Sequence, residues 1–371
     1  MPTTHLTYGG STAARTLSCG GWVEKSKNIP RRPAGSAALE GSMHHQIMEL
    51  CQKTDAMPVD HLGHVYKENG VELVFTEDDL DLSEIAYHKT NELLEDLDID
   101  QMMIEPFVQL IEGVAGGSID LLGLSTDEKT LLILDYKFGS VKVSPIESEQ
   151  AGVYGISAKV DPSTADLFKK VKKVVVAIIQ PKIKGVTFTW DTDLAWLDKF
   201  ETTFRAAMDS KKLVAGAHCK YCPAEPYCEV KRASVMAATL LGSEDRDKLQ
   251  AAAEVVLEVE SWVKSMKEEM YLQLNRGVPI TGWKIVAKRA TRKWIESAAG
   301  DKVFKQIEGA HKTTLITPAQ MEKLIKKNNV DVDITEFIMT ECSGTTLATD
   351  DDSREAVIVS DITGHLKEMM K

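Results

Sequence analysis

The sequence predicts a mixed α/β fold (α+β mixed), in which helices flank a mixed central sheet. Residues 117–125 and 130–137 form two strand patterns separated by turn residues, which predicts a hairpin. The apolar run at residues 173–180 is typical of a buried strand, and Pro181 ends it. Helical patterns lie between and around these strands, so the order of elements favours helices packed on a sheet.

The remaining elements follow from the same patterns along the chain. Gly, Ser, Thr and Pro are frequent in residues 1–35, where only a short helix near 11–19 is expected. Ser144, Pro145 and Glu147 predict a helix start, as N-cap, first-turn proline and capping-box residue. We predict further helices at 36–53, 83–96, 191–210 and 243–276, and a further strand at 102–110. The character of the chain changes beyond residue 240, so we expect a domain at 1–235 and an accessory helical and mixed region at 240–371.

Composition excludes several classes of protein. The 371 residues are 43% hydrophobic and 27% charged, which is typical of a globular domain. No apolar run is long enough to span a bilayer and no signal peptide is evident, so we expect a cytoplasmic protein without membrane contact. A formal net charge of -12 argues against a polycation that coats nucleic acid, but it permits a local basic strip on an acidic protein.

The triplet Asp135-Tyr136-Lys137 ends the second strand of the predicted hairpin. Side chains alternate faces along a strand, so Asp135 and Lys137 point to one side and Tyr136 to the other. Burying such charges is costly unless they are paired or bind a metal, and Asp120 adds a second carboxylate. Together they predict an oxygen-rich pocket for a hard divalent cation, beside a lysine. This combination suits phosphodiester hydrolysis, although solvated Asp and Lys residues are also common at strand ends.

The first long helix offers further metal ligands. His45 and Glu49 lie four residues apart and therefore share one face of the helix. His45 is either a ligand or an ordinary core or surface histidine. The neighbouring His44 lies on a different face, and the sequence does not decide between the two.

Three more residues are candidates beside the pocket. Glu105 lies in the strand next to it, and is either part of the site or an exposed strand carboxylate. Gln150 and Tyr154 are four residues apart on one helix face. Their amide and phenol either contact a phosphate or the attacking water, or belong to an ordinary helix surface.

The cysteines predict a second metal centre. Six cysteines, three of them close together, are too few and too clustered for a secreted disulfide scaffold. Cys219, Cys222 and Cys228 occupy a Pro-rich segment in which thiolates converge easily on one metal centre. A site with four ligands needs one more residue. The candidates for it are Cys19, Cys51, His218 and Cys342.

The C-terminal region contains basic residues interleaved with two tryptophans, Trp283 and Trp294. Such a pattern suits a DNA strand, through phosphate neutralisation and base stacking, but a solvated basic face over two core tryptophans is an equal alternative. The basic residues are Lys284, Lys288, Arg289, Arg292 and Lys293.

In their order along the chain, these motifs resemble the RecB-like branch of the PD-(D/E)XK nuclease superfamily, which has a restriction-endonuclease-like core. The matching elements are Gly41 to His45, Asp120, Asp135-Tyr136-Lys137, and Gln150 to Tyr154. The resemblance implies that His45, Asp120, Asp135 and the Tyr136 carbonyl bind Mg or Mn. It also implies that Lys137 is the catalytic lysine. The activity implied is hydrolysis of DNA, by an exonuclease that acts in replication, recombination or host DNA degradation.

The cysteines extend this resemblance to iron-sulfur nucleases, namely AddB-type helicase-nuclease subunits and CRISPR-associated RecB-like exonucleases. In those proteins one cysteine precedes the nuclease motifs and three follow them. The resemblance therefore implies a [4Fe-4S] cluster that closes the nuclease domain, with zinc on the same residues as the alternative. The implied ligands are Cys19, Cys219, Cys222 and Cys228.

Nearly the whole chain also resembles a phage and prophage family known only as a domain of unknown function. The landmarks are Glu40-Gly41, Gln180-Pro181-Lys182, His218-Cys219, Gly282-Trp283-Lys284 and Arg292-Lys293-Trp294. This resemblance implies DNA, and recombinase or replication proteins, as partners in the cytoplasm of a host cell. Two alternatives stay open: a noncatalytic DNA-binding or scaffold module that retains the nuclease fold, and a zinc-stabilised structural protein of unrelated fold.

Overall fold

The computed structural model describes residues 6–357 apart from 31–34, 69, 239–245, 296–297, 306, 308–309, 311–314, 329, 331, 342–343, 351 and 353. The fold is mixed α/β, with a mixed sheet flanked by helices, so the predicted fold class is confirmed. The chain divides into two compact units, Met1–Trp262 and Val263–Lys371. The domain boundary predicted between residues 235 and 240 remains a prediction. None of the described helices is long and apolar enough to cross a membrane.

Among the residues that the structure describes, the first unit contains ten strands and most of the helices. Its strands are β1 (Tyr8–Gly9), β2 (Val65–Glu68), β3 (Val71–Val74), β4 (Ile99–Ile104), β5 (Phe107–Ile111), β6 (Ala115–Ser118), β7 (Leu121–Ser125), β8 (Thr130–Tyr136), β9 (Lys173–Ile179) and β10 (Thr187–Thr192). Its helices are α1 (Ala13–Ser18), α2 (Trp22–Ser26), α3 (Ser36–Thr54), α4 (Glu77–Asp96), α5 (Glu149–Val160), α6 (Leu194–Asp209) and α7 (Glu229–Ala238), and α8 (Arg246–Asn275) continues into the second unit.

A five-stranded sheet with the order β10-β9-β8-β7-β4 forms the centre of this unit. Strands β8 and β9 are parallel and the other neighbours are antiparallel, so the sheet is mixed. A separate three-stranded sheet has the order β1-β6-β5. The hairpin of β2 and β3 stands apart from both sheets and was not predicted from the sequence.

Both faces of the five-stranded sheet are buried, and successive side chains of β8 point to opposite faces. Leu131 and Ile133 pack in one apolar cluster with residues of α5 and α6. Leu132, Leu134 and Tyr136 pack in a second cluster with residues of α3 and α4. This burial on both sides explains why the strand is a continuous apolar run rather than an alternating one.

Helices α5 and α6 pack unusually closely, because α5 presents glycines to α6. A Cβ atom at Gly152 would lie 2.6 Å from the Phe200 ring, and one at Gly155 would lie 2.6 Å from a methyl carbon of Leu197. Asp193 begins α6 by accepting a hydrogen bond from the Trp196 amide at 3.0 Å. The predicted helix start at 191 was therefore early, since residues up to Thr192 belong to β10.

The predicted start of α5 at Ser144 is also wrong. The helix begins at Glu149, with Ser148 as N-cap accepting from the Ala151 amide at 3.3 Å. Ser144 instead accepts a hydrogen bond from the nearby Ile146 amide, at 3.2 Å. Glu147 has φ 51°, a left-handed conformation that a helix cannot contain, so the chain must turn before the helix begins.

Two strands predicted as continuous are each divided in the structure. The predicted strand 102–110 is divided between β4 and β5 at Glu105 and Pro106, and 117–125 is divided between β6 and β7 at Ile119 and Asp120. Proline has no amide hydrogen to donate to a sheet, and Glu105 has φ 52°. The chain therefore leaves one sheet and enters the other at the same level in both strands.

The second unit is a small α+β arrangement. Its elements are β11 (Trp283–Ala287), β12 (Thr291–Trp294), α9 (Ala298–Phe304), α10 (Pro318–Asn328), β13 (Ile338–Glu341) and β14 (Thr345–Thr349). Strand β11 pairs with β14 and β12 pairs with β13, both antiparallel. A core that includes Phe304, Met321 and Phe337 packs α9, α10, β12 and β13 together.

Candidate active site

The two strand divisions bring two carboxylates together. The Glu105 amide donates to the Asp120 carbonyl at 3.1 Å, and the Ile119 amide donates to the Pro106 carbonyl at 3.1 Å. Backbone pairing between the two segments thus continues through the point where each segment passes from one sheet to the other. Glu105 and Asp120 are held there as neighbours, at the junction of the two sheets.

Helix α3 brings His45 to these carboxylates. The His45 Nδ1 atom lies 3.1 Å from Asp120 Oδ1, and the second oxygen of Asp120 accepts from the Tyr136 amide at 2.5 Å. One ligand atom from each of His45, Glu105 and Asp120 lies within 4.8 Å of the others. A nitrogen and two carboxylate oxygens in this arrangement are chemically suited to a divalent cation.

Histidine 44 has a different environment. It is buried, its Nδ1 atom lies 2.9 Å from the Ser83 hydroxyl oxygen, and its ring stacks on Phe138 at 4.6 Å between centroids. Burial lowers the pKa of His44 to about 4, so the imidazole is neutral near pH 7. The structure therefore brings His45, and not His44, to the carboxylates.

The charges of this pocket depend on one another. Burial alone would lower the pKa of His45, but the Asp120 carboxylate beside it raises that pKa overall. Burial likewise opposes ionisation of Asp120, whose pKa His45 and the Tyr136 amide nevertheless hold below its usual value. Burial, and then the charge of Asp120, raise the pKa of Glu105 to about 8. Near pH 7 and without a cation, Glu105 therefore keeps its proton, which a bound cation would displace.

Asp135 is the centre of a separate hydrogen-bonded network. Its side chain is only 9% exposed, and its two oxygens are occupied by Lys137 Nζ at 2.5 Å and Gln150 Nε2 at 2.9 Å. Lys137 also donates to Gln150 Oε1 at 3.0 Å. The Gln150 amide continues to the Tyr154 hydroxyl oxygen, 2.9 Å from Nε2. One carboxylate, one ammonium, one amide and one phenol are therefore held in fixed orientations.

Tyr136 lies on the other face of β8. Its hydroxyl lies 2.9 Å from the Thr90 hydroxyl, and its ring belongs to the apolar cluster below α4. Burial raises the pKa of Tyr136 far above its usual range, so this phenol stays neutral. Its amide donates to Asp120 in the pocket, and its ring makes an edge contact with the His45 ring, 6.2 Å between centroids.

Glu49 lies one turn beyond His45 on α3. Its carboxylate pairs with Lys53 at 2.6 Å, an ordinary contact between residues four apart on a helix. Its charge also contributes to the raised pKa of Glu105, so it is near the pocket. It is not a member of the close group formed by His45, Glu105 and Asp120.

Gly10 packs against Tyr154 and Gln150, two residues of the network, and it was not predicted from the sequence. A Cβ atom there would lie 2.7 Å from the Tyr154 ring and 3.0 Å from Gln150 Cγ. Only glycine therefore lets the start of the chain approach this face of α5. The pair Gly9-Gly10 before a short helix is the signal that could have suggested a close approach.

The cysteines predicted to share a metal do line one pocket. Cys19 follows α1, and the other three lie between α6 and the start of α7. The Val214 amide donates to Cys19 Sγ at 3.4 Å, and Cys222 Sγ lies 3.8 Å from the Ser26 hydroxyl. Burial raises the pKa of Cys219 to about 11, so its thiol is protonated. The pocket is lined by Cys19, Cys219, Cys222 and Cys228, with Arg15, Trp22 and His218 among its other residues.

Of the other candidates for a fourth ligand, Cys51 lies elsewhere. It is buried in α3 against Met43, Ile47 and Phe75. His218 lines the cysteine pocket, but its Nε2 atom lies 2.9 Å from the Val214 carbonyl oxygen. Cys342 lies outside the described residues.

The basic residues of the C-terminal region are partly occupied by contacts within the unit. Lys284 donates to the Asp352 carbonyl at 2.8 Å, and Arg292 forms a two-point pair with Glu322. The Trp294 indole donates to the Ile316 carbonyl at 2.7 Å, and its ring packs on Phe304. Trp294 therefore belongs to the core of this unit. Lys288, Arg289 and Lys293 are exposed.

Comparison with known proteins gives a family for this chain. No curated protein matches it in sequence. Two solved structures are similar to part of it. One is the crystal structure of LHK-Exo in complex with dAMP, with 15% identity, 62% of this chain and 97% of that chain covered, and a TM-score of 0.24. The other is protein VC1899 from Vibrio cholerae, with 10% identity, 54% and 55% covered, and a TM-score of 0.16.

These TM-scores are too low to support an argument about function. The family match is far more extensive, because it includes residues 5–355. The chain therefore belongs to the family described as Protein of unknown function (DUF2800).

Proposed function

We propose that this protein is a DNA nuclease of the PD-(D/E)XK type that depends on a divalent cation, Mg or Mn. One observation carries the proposal: the group of His45, Glu105 and Asp120 adjoins, through the Tyr136 amide, the network of Asp135 and Lys137. Carboxylates, a histidine and a lysine are the groups that phosphodiester hydrolysis needs. The same residues, apart from Glu105, were predicted from the order of motifs.

The proposed cation ligands are His45, Asp120, Asp135 and the Tyr136 carbonyl, with Glu105 as an additional carboxylate. Their oxygen-rich character fits Mg or Mn. A cation bound by these residues supplies positive charge near the phosphate and makes a bound water more acidic. Asp135 can join such a site only by sharing an oxygen between the cation and its present partners, Lys137 and Gln150.

The remaining residues orient the reacting groups. Lys137, held between Asp135 and Gln150, positions a water or stabilises charge on a phosphate oxygen. Tyr154 accepts a hydrogen bond from Gln150, and none of the residues that the structure describes accepts one from its hydroxyl hydrogen. Burial keeps the pKa of Tyr154 well above its usual value, so the phenol stays neutral. We therefore propose that Tyr154 donates to the scissile phosphate.

For the cysteine pocket we propose a [4Fe-4S] cluster held by Cys19, Cys219, Cys222 and Cys228, with zinc as the alternative. Zinc bonds sulfur at about 2.3 Å in a tetrahedron, which requires neighbouring sulfurs about 3.8 Å apart. Among the residues that the structure describes, no three cysteine sulfurs lie within 4.8 Å of one another. This wider spacing favours the larger cluster. Such a centre would join the start of the chain to residues 219–228.

Digestion of labelled DNA tests the proposed function. Metal-stripped protein is incubated with single- and double-stranded DNA, labelled at one end and blocked at each end in turn, with Mg, with Mn or with chelator. We expect hydrolysis with either cation and none with chelator. Protection by a blocked end identifies an exonuclease. Binding without hydrolysis under all conditions would instead support the noncatalytic DNA-binding alternative.

A further inference from the structure

Two loops follow the carboxyl ends of the parallel strands β8 and β9 in the five-stranded sheet. Tyr136 and Ile179, the last residues of these strands, are partners in the sheet register. The pairing extends one step further, because the Lys137 amide donates to the Ile179 carbonyl at 2.9 Å. Residues 139–143 and 181–185, here called the paired loops, therefore both begin beside Lys137.

Gln180 joins the paired loops. It is fully buried, and its Nε2 atom donates to the carbonyls of Gly139 at 2.9 Å and Val141 at 2.8 Å. Its Oε1 atom accepts from the Val143 amide at 3.1 Å. A buried amide is costly unless its hydrogen bonds are made, and here both donors and the acceptor serve the backbone of one loop. Gln180 thus fixes the path of that loop relative to β9.

The paired loops carry three exposed lysines, Lys142, Lys182 and Lys184. Within the described part of the chain, none of the three forms an ion pair, although the protein has a net charge of -12. The Lys142 ammonium lies over the Phe188 ring, 4.5 Å from its centroid, which holds it without neutralising it. At the opposite end of β9, by contrast, three lysines have carboxylate partners: Lys169 pairs with Asp166, Lys170 with Glu128, and Lys173 with Asp191.

The surroundings of the loop lysines also suit a nucleic acid strand. Val141 is 80% exposed, next to Lys142 and in a loop whose path is fixed. The ammonium groups can neutralise phosphates, while the exposed valine offers apolar contact to a neighbouring sugar or base.

We propose that the paired loops bind the sugar-phosphate backbone of the substrate strand, with Lys142, Lys182 and Lys184 at phosphates. This inference rests on the proposed function, because it identifies the surface that guides DNA to Lys137. It also differs from the sequence prediction, which placed a basic strip at residues 284–293. There, Lys284 and Arg292 already have partners.

Equilibrium binding of a labelled oligonucleotide in chelator, at several salt concentrations, tests the proposal without hydrolysis. The variant Lys142→Gln/Lys182→Gln/Lys184→Gln should lower the slope of log affinity against log salt by about 2 for single strands, as loss of three phosphate contacts requires. The matched control removes three exposed lysines from α10, as Lys323→Gln/Lys326→Gln/Lys327→Gln. We expect the control to keep the slope of the unsubstituted protein. An unchanged slope in the loop variant would overturn the proposal.

Single-turnover hydrolysis separates this proposal from the nuclease assignment. If both are right, the loop variant needs more DNA for half-maximal rate but reaches the same rate at saturation, because the lost contacts are uniform binding. A changed salt slope without hydrolysis by the unsubstituted protein contradicts the proposed function and supports the DNA-binding surface. Hydrolysis with the same DNA dependence in both proteins contradicts the surface alone.

Discussion

The carboxylate pocket and the cysteine pocket both collect residues that are distant in sequence, but they are built differently. Asp120 and Asp135 lie at the ends of buried strands and are hydrogen-bonded to His45, Lys137 and neighbouring amides. The cysteines lie in short helices and loops, with only weak sulfur contacts. The first centre is therefore organised by the sheet before any cation binds.

The difference predicts different roles. A pocket whose side chains are already fixed does not need a cation in order to fold, and such preorganisation is suited to chemistry. Cysteines in loops become fixed in orientation only when they bind a metal, so the metal contributes directly to folding. We therefore expect loss of a carboxylate to remove activity and loss of a cysteine to remove stability.

The largest effect on activity is expected from Asp135→Asn. The amide keeps the shape of the side chain but removes the charge that holds Lys137 and supports a cation. We expect a loss of hydrolysis of at least about 1000-fold, comparable with removal of a principal electrostatic group. DNA binding and thermal stability should change little.

The rate of single-turnover digestion, the affinity for DNA and thermal unfolding followed by circular dichroism, all on one preparation, test this prediction. Asp127→Asn is the control, because that carboxylate lies in an exposed turn. Full hydrolysis by the Asp135 variant in metal-purified protein would contradict the active-site assignment.

The largest effect on stability is expected from Cys219→Ser. Removing one of four ligands should release the iron or zinc and lower the melting temperature by roughly 10 °C, as about 3 kcal/mol does in a domain of this size. Metal analysis of anaerobic protein and thermal unfolding measure both changes. Cys51→Ala is the control: it should keep the metal, since Cys51 lies in a separate apolar cluster. Equal metal content in the Cys219 variant and the unsubstituted protein would remove the basis for a four-cysteine centre.

An intermediate effect is expected from Gly10→Ala, which tests whether the network needs its close packing. The new methyl group would overlap the Tyr154 ring and must displace it, together with Gln150. We expect a loss of hydrolysis of roughly 10-fold or more, and a destabilisation of about 1–3 kcal/mol from overpacking. Rate measurements and denaturant unfolding test this. Unchanged hydrolysis would show that Tyr154 has no part in the reaction.

The smallest effect on stability, with opposite sign, is expected from Gly41→Ala. Gly41 lies within α3, one turn before His45, and no atom would lie within 4 Å of a Cβ there. Because glycine weakens a helix interior, alanine should stabilise the protein by about 0.5–1 kcal/mol. If the open space admits the substrate strand, hydrolysis of DNA should fall while stability rises. If the hydrolysis rate and the stability both rise, Gly41 is an ordinary helix residue that does not contact the substrate.

Much of this arrangement followed from the sequence because its signals are local. Apolar runs identified β8 and β9, and the alternation of side-chain direction along any strand predicted that Asp135 and Lys137 share a side. The division of the strands at Glu105 and Asp120 was missed, because strand-forming apolar residues lie on both sides of each of these residues. Pro106 inside a strand pattern was the available signal for that division.

The remaining differences depend on tertiary contacts that no local pattern contains. Whether His44 or His45 faces the pocket depends on Ser83 and Phe75, which both contact His44. The loop function of Gln180 depends on residues about 40 positions earlier in the chain. Such contacts become visible only when the two parallel strands are placed side by side.

Binding of Mn²⁺ by the protein without DNA, followed by hydrolysis in the same samples, tests the central claim most directly. The comparison uses the unsubstituted protein, Asp120→Asn and the control Asp127→Asn. We predict that the unsubstituted protein and the control bind Mn²⁺ and hydrolyse DNA, and that Asp120→Asn loses both together. Retention of Mn²⁺ binding and hydrolysis by Asp120→Asn would contradict the assignment of this pocket as a nuclease centre.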